Sequence, residues 1–186
     1  NLIILPALND DVRHVSADMA LMVLQVGLLG KPSDSAIGMA RIGLTSLTGE
    51  PAQRFIEERN GELILGRAVR SFKFRDGLVA GVELSDGQLL EGDSYVSALP
   101  FEELSRVLPS DLASDPFFAR IAGLTSSPIV GIHIWYDRHV MDQEFAAFLE
   151  SPVQWVFNRT RIQGSDSANG QYVCISVSGA WDFIDR

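Results

Sequence analysis

Residues 58–100 constrain the fold of this chain more than any other stretch, because they combine alternating apolar residues with tight-turn signals. The pair Asp76-Gly77 separates the two alternating segments 69–74 and 78–84. An Asp-Gly pair in this setting is typical of a β-hairpin turn. The sequence therefore predicts two antiparallel strands, and the alternation of Phe72 and Phe74 about Lys73 indicates which face is buried.

Two further strands are predicted on either side of this hairpin. A short apolar run at 63–65 precedes it, and a segment at 94–98 follows a second Asp-Gly turn at 86–87. The last strand ends in small residues and a proline, an ending that lets backbone approach a ligand closely.

The rest of the chain alternates between helical and strand patterns. Apolar residues spaced three and four apart predict a helix over 16–29, with Ser16 as its N-cap and Gly30 beyond its end. Shorter helices are predicted at 51–59, 101–108 and 115–122, and strands at 128–136, 153–157 and 172–177.

Composition limits the function classes. The chain of 186 residues is 46% hydrophobic and 21% charged, so it can bury a core. Its formal net charge of -9 disfavours a nucleic-acid partner, since phosphate binding needs clustered Lys and Arg. The single cysteine, Cys174, allows no intrachain disulfide and fits a reducing, cytoplasmic setting. It lies in an alternating run, which favours a buried, inert thiol, and no apolar run is long enough for a transmembrane helix.

Several catalytic motifs are absent from the sequence. It contains no GxSxG, P-loop, HExxH, CxxC pair or GxGxxG. The histidines His14, His133 and His139 lack metal-ligand spacing. His133 is predicted to be a core or domain-face residue of its strand, and His139 a solvated turn residue.

The order of these segments resembles the middle of flavin-dependent amine oxidases and carotenoid-type desaturases. More specifically, SPIVGIHIWYDRHVM at 127–141 and SPVQWVFNR at 151–159 resemble squalene-associated FAD-dependent desaturases, also described as hydroxysqualene dehydroxylases. Two shorter runs also fit that branch: Ala7-Leu8-Asn9 and Gly38-Met39-Ala40-Arg41.

The resemblance implies a mixed α/β fold. Residues 45–109 would be part of an FAD-binding α/β domain, and residues 1–44 and 110–186 an interleaved substrate domain with its own mixed sheet. The resemblance covers the middle of a family protein, so the chain is interpreted as an internal fragment. Without the glycine-rich cradle for pyrophosphate, it is expected to line a flavin but not to hold one tightly by itself.

The resemblance also implies site residues. Val69 matches a valine that lies against the FAD adenine in the superfamily, and Ala98, Leu99 and Pro100 match the strand end that approaches the cofactor. The other candidates would bind substrate. Met39 and Arg41 lie in a loop that would reach the active site, and three aromatic residues would line a tunnel for a polyisoprenoid chain: Trp135, Trp155 and Phe157. For these residues, ordinary sheet or loop packing is the alternative interpretation.

The function implied by the resemblance is FAD-dependent oxidation or reduction of a long apolar terpenoid, of the squalene, hydroxysqualene or carotenoid-precursor type. A substrate of this kind allows peripheral membrane contact. Two alternatives remain: a flavin-containing amine oxidase, and a non-catalytic binding module of the same fold. No catalytic acid or base is assigned. Because Trp155 and Phe157 alternate with Val156, they are expected to share a face, which Trp135 would reach from the neighbouring strand.

Overall fold

The structure is a computed structural model that describes residues 2–165 and 170–184. It contains two compact units. The hairpin unit is Phe55–Ser126, and the four-stranded unit combines Asn1–Arg54 with Ser127–Arg186. The mixed α/β fold class is therefore confirmed, with one sheet in each unit.

The hairpin unit is built on a three-stranded antiparallel sheet in the order β1-β2-β3. The strands are β1 (Val69–Arg75), β2 (Leu78–Leu84) and β3 (Leu89–Leu90). Three short helices follow them: α4 (Phe101–Val107), α5 (Ser110–Ala113) and α6 (Pro116–Ala119), with a 3-10 turn at Arg120–Gly123.

The predicted hairpin is confirmed. β1 and β2 pair antiparallel, and Arg75 ends β1 opposite Leu78, so the turn is confined to Asp76-Gly77. Both turn residues have positive φ, 53° and 77°. Positive φ at both central positions is the geometry that matches the twist of the flanking strands and selects Asp-Gly.

The two faces of the hairpin differ as the alternation predicts. Phe72 and Phe74 line an apolar cavity with residues of α4 and α5, so this face is the inner one. On the other face the Lys73 ammonium pairs with the Glu83 carboxylate, which also accepts a hydrogen bond from Ser71.

The predicted strands at 63–65 and 94–98 are wrong. Neither segment pairs with another described strand, and Leu65 and Val96 are 75% and 95% exposed. A β-ladder needs a partner strand, and neither segment has one among the described residues. Tyr95 and Ser97 instead line the apolar cavity beneath β1.

The four-stranded unit contains a sheet in the order β4-β7-β6-β5. Its strands are β4 (Ile129–Tyr136), β5 (Phe145–Ala147), β6 (Trp155–Asn158) and β7 (Gln171–Ser178). This sheet is antiparallel throughout, where a mixed sheet was predicted. The connection between the neighbouring strands β5 and β6 explains part of the difference, because parallel neighbours need a crossover of a dozen or more residues and this connection is shorter.

Four further helices are described: α1 (Ile4–Leu8), α2 (Ala17–Gly27), α3 (Glu50–Glu57) and α7 (Arg159–Ile162). Shorter turns occur at Pro32–Ser35, Thr45–Gly49 and Trp181–Phe183. The helices predicted at 16–29, 51–59 and 101–108 are confirmed within a few residues, and 115–122 forms α6 and the 3-10 turn after it. The predicted strand at 153–157 begins later, at Trp155.

Asn9 fastens the end of α1 to two strands of the sheet. Its side-chain Nδ2 donates to the carbonyl of Ser127 at 2.7 Å, just before β4. Its Oδ1 accepts the backbone N–H of Gly179 at 2.9 Å, just after β7. Asn9 adopts a left-handed conformation, with φ 57°, which asparagine tolerates better than most residues. The Asn9 side chain therefore links the start of β4 to the end of β7.

Candidate functional site

Six ring-bearing side chains lie on one face of the four-stranded sheet. Directly paired residues of neighbouring strands project on the same side, and Cys174 of β7 is paired with both His133 and Phe157. Trp155, opposite Ser176, lies on that side as well. We call this surface the aromatic face; its rings are His133, Trp135, Phe145, Trp155, Phe157 and Tyr172.

The shared face of the three predicted tunnel residues is confirmed, but their strand adjacency is wrong. Trp155 and Phe157 lie together on β6, and Trp135 lies on the same face of β4. β7 separates β4 from β6, because strand order depends on long-range pairing that a local pattern does not encode. Tyr172 and Cys174 of β7 therefore lie between the two groups.

The rings form two stacked groups. On β4 and β7, the rings of Trp135 and Tyr172 are 4.6 Å apart and nearly parallel, at 4°. On β5 and β6, the ring of Trp155 is 5.9 Å from that of Phe145 and 6.1 Å from that of Phe157. Such stacking adds about 0.5–1.5 kcal/mol per pair beyond simple burial. Trp135 is nevertheless 71% exposed, so the face is open.

His133 carries a titratable ring nitrogen onto this face. Its Nδ1 is 2.6 Å from the hydroxyl oxygen of Tyr172, a hydrogen-bonding distance. His133 is exposed, which corrects its interpretation as a core residue and agrees with the domain-face alternative. His139 lies elsewhere, in the loop after β4, with its Nε2 2.9 Å from the Asp142 carboxylate.

Amide side chains that the sequence interpretation did not single out hold the strands of this face in place. Gln154 pairs with the backbone of Ser178 through both amide atoms, at 2.9 Å each. Asn158 is fully buried, donating to the carbonyl of Met141 and accepting the N–H of Arg161. Gln171, also buried, accepts the N–H groups of Val140 and Met141. These residues could have been found in the sequence as polar amides within predicted strands. A polar group that becomes buried there needs a hydrogen-bond partner.

Trp155 borders a cavity of about 260 Å³. Its apolar lining comes from α1 and the segment before β6, and includes Leu5, Pro6 and Phe148. Two of its polar lining residues have their polar atoms engaged with backbone: Gln154 with Ser178, and Ser151, whose Oγ accepts the N–H of Val153. The cavity is slightly smaller than a typical small-molecule pocket of about 300–1,000 Å³, which suits one end of a longer ligand.

Met39 and Arg41 line a second cavity, of about 160 Å³, together with Phe145 and Glu144. Phe145 belongs to the aromatic face and is paired with Phe157. The structure thus brings the predicted loop residues to the edge of the surface that carries the predicted tunnel residues. Arg41 is exposed there.

The predicted cofactor-contacting residues all lie in the hairpin unit. Val69 begins β1, an edge strand of the described sheet. Ala98, Leu99 and Pro100 precede α4 and are exposed. Neither Ala98 nor Leu99 makes a backbone hydrogen bond to another residue that the structure describes. Of the three, Ala98 has the small side chain that would let backbone approach a flat ring, and the flavin contact stays a prediction.

Burial raises the pKa of the Cys174 thiol, an effect that nearby Arg159 partly opposes. A raised pKa keeps this half-buried cysteine protonated and unreactive at neutral pH. Within residues 2–165 and 170–184, no cluster of three His, Cys, Asp or Glu side chains is arranged to hold a metal ion. Nor does any described helix combine the length and apolarity needed to cross a membrane.

Curated relatives include two desaturases and a dehydroxylase. The chain is 32% identical to 15-cis-phytoene desaturase of Synechococcus elongatus over 114 residues, which is 58% of this chain and 24% of that protein. It is 31% identical to the chloroplastic/chromoplastic enzyme of Glycine max over 120 residues, covering 60% and 21% of the two chains. Hydroxysqualene dehydroxylase of Sinorhizobium fredii matches at 24% identity over 157 residues, 83% of this chain and 36% of that protein.

The matched relatives are much longer than this chain, which spans about a quarter of the first desaturase. A family model described as flavin containing amine oxidoreductase matches residues 10–181, nearly the whole sequence. The chain therefore belongs to the flavin-containing amine oxidoreductase family.

Proposed function

We propose that the protein containing this sequence is an FAD-dependent oxidoreductase that acts on a long apolar terpenoid. The observation that carries the proposal is the aromatic face, an open surface of stacked rings whose Trp155 also borders a cavity lined partly by Leu5, Pro6 and Phe148. A hydrocarbon chain offers few polar groups, so apolar contact must supply most of its affinity, at about 0.8 kcal/mol per buried CH₂ group. Large aromatic side chains provide that contact area.

The relatives support the same substrate class. They are named for phytoene and for hydroxysqualene. The desaturases match at higher identity over about three fifths of the chain, whereas the dehydroxylase matches at lower identity over more of it. The experiment below therefore uses both types of substrate.

In this proposal the two units have different tasks. Val69 and the segment Ala98–Leu99–Pro100 would contact the FAD, while Trp135, Trp155 and Phe157 would hold the substrate chain, with Met39 and Arg41 at its edge. When bound, a flavin supplies a two-electron acceptor or donor for hydride transfer. The aromatic face would orient the chain through apolar contact.

Anaerobic flavin bleaching tests the proposal. The flavin-loaded protein should lose its oxidised-flavin absorbance when phytoene is added. If it is a dehydroxylase, its reduced flavin should instead be reoxidised by hydroxysqualene. Primary and secondary amines should leave the absorbance unchanged. Bleaching by an amine alone would identify an amine oxidase, and a protein that never binds flavin would be a non-catalytic module.

A further inference from the structure

We propose that Nε2 of His133 is the proton acceptor of the aromatic face and that Tyr172 and Trp135 position it. The inference rests on the proposed function, because it assigns a role within the same site. The binding of an apolar chain gives no role to one feature of this face. A hydrogen-bonded His–Tyr pair lies among the rings of an otherwise apolar surface.

Desaturation, the oxidative form of the proposed reaction, releases a proton that such a group can accept. Forming a C=C bond from two adjacent C–H bonds removes two hydrogens and two electrons. One hydrogen would leave with its electron pair as hydride, for which a bound flavin would supply the acceptor, and the other would leave as a proton, its bonding pair becoming the new π bond. Histidine is the side chain that most often accepts such protons near neutral pH. Exposed His133 would then release the proton to water.

In the proposed arrangement Nδ1 of His133 carries the hydrogen and donates it to Tyr172. When Nδ1–H donates to the Tyr172 oxygen, 2.6 Å away, Nε2 keeps its lone pair and serves as the acceptor. The same bond persists when Nε2 gains a proton, so it stabilises both forms of the ring. A partner on one imidazole nitrogen that fixes the role of the other is the usual arrangement of a catalytic histidine.

Two neighbours border this pair, one on the tyrosine and one on the histidine. Tyr172 is stacked on Trp135 with ring centroids 4.6 Å apart, which holds the phenol flat on the face. On the other side, Gly131 lies beneath Nε2, where a side-chain carbon built at Gly131 would be 3.8 Å from that nitrogen and meet nothing else within 4 Å. The glycine leaves open space beside Nε2 into which a substrate carbon can come.

Two other titratable side chains lie beside His133 on this face, those of Cys174 and Tyr172. Cys174 is directly across from His133 on the neighbouring strand. Its pKa is raised by burial, so it is a poor proton acceptor at neutral pH. Tyr172 is occupied as the partner of Nδ1. His133 is therefore the group on this face best suited to take the proton.

Chemical rescue in the flavin-loaded protein tests the role. His133→Ala should lower kcat for the polyene by about 100-fold or more, the usual contribution of a general base, with little change in KM or flavin content. Added imidazole should restore part of the rate, because the space beside Gly131 admits a small base. Tyr172→Phe should lower kcat less and should not respond to imidazole. The matched control, His139→Ala, changes an exposed histidine outside the face and should leave kcat unchanged.

A second measurement does not depend on turnover. Long-range ¹H–¹⁵N spectra of the 186-residue chain, assigned with His133→Gln, report which ring nitrogen of His133 bears hydrogen. We expect the Nδ1–H form in the wild type and its loss in Tyr172→Phe. A wild-type Nε2–H form, or a His133→Ala variant that keeps its kcat, would overturn the inference. A wild-type protein that reduces hydroxysqualene but oxidises no polyene would overturn the inference and leave the proposed function standing. A protein that acts on neither substrate would refute the proposed function instead.

Discussion

At the scale of single residues, buried amides contribute more to this architecture than the apolar pattern suggests. The side-chain amides of Asn158 and Gln171, which are buried, and of Gln154, which is half-buried, hydrogen-bond backbone groups of other segments. A buried polar group without a partner costs about 1–3 kcal/mol, so each of these residues fixes a segment in one conformation. For Asn158 and Gln171 that segment contains Met141, whose carbonyl both side chains bond.

Asn158→Ala should therefore lower the free energy of unfolding by about 1–3 kcal/mol. The substitution removes the only side-chain acceptor that the structure shows for the Arg161 N–H and one of two donors to Met141. Urea denaturation of the chain measures the change. Gln143→Ala, an exposed amide in the same region, is the control and should have almost no effect. Equal stability of Asn158→Ala and wild type would contradict the assigned role.

Glu83 should make the hairpin unit sensitive to acid. Its pKa is lowered by the hydrogen bond with Lys73 first, and then by that from Ser71. Because the folded-state pKa lies below the unfolded value of about 4.3, the stabilisation is present above that pH and is lost as the pH falls through the folded pKa. Glu83→Gln should lower the urea midpoint at neutral pH, and the difference should shrink in acid. A difference that persists unchanged at about pH 3, below the unfolded value, would argue against this ion pair as the cause.

At the scale of elements, local signals predicted local structure. The β1–β2 hairpin was predicted correctly because its turn, its alternation and its partner strand lie within sixteen residues of one another. The segments 63–65 and 94–98 carry the same apolar signal, but a strand also needs a neighbour, and periodicity does not reveal one. Likewise, alternation correctly predicted that Trp135, Trp155 and Phe157 share one face of their sheet. It could not predict that β7 lies between their strands, because that depends on long-range pairing.

The turn itself provides a test at this scale. Gly77 has φ 77°, a conformation that disfavours a side chain. Gly77→Ala should therefore destabilise the hairpin by about 1 kcal/mol. Gly27→Ala is the matched control, because Gly27 ends α2 without positive φ and a side chain there meets nothing within 4 Å. It should be neutral or slightly stabilising, since alanine favours helix. If both substitutions changed the melting temperature in the same direction, the result would contradict the turn geometry.

At the scale of the whole molecule, the proposed cofactor contacts lie in a chain without a complete cradle for a dinucleotide. The glycine-rich turn that holds pyrophosphate is absent from the sequence. The 186-residue chain should therefore purify colourless, and its absorbance spectrum should lack the flavin bands. Stoichiometric flavin in the isolated chain would show that the cofactor contacts assigned to Val69 and Ala98–Leu99–Pro100 are incomplete.

The central claim is that the aromatic face binds a terpenoid chain instead of serving as core. Trp155→Ala in the flavin-loaded protein tests it most directly, by thermal unfolding and steady-state kinetics on the same preparation. The account predicts a marked loss of kcat/KM for the terpenoid with little loss of stability, because Trp155 borders a cavity. A core tryptophan would instead cost about 3–5 kcal/mol of stability. Severe destabilisation with unchanged activity in the folded fraction would contradict the claim.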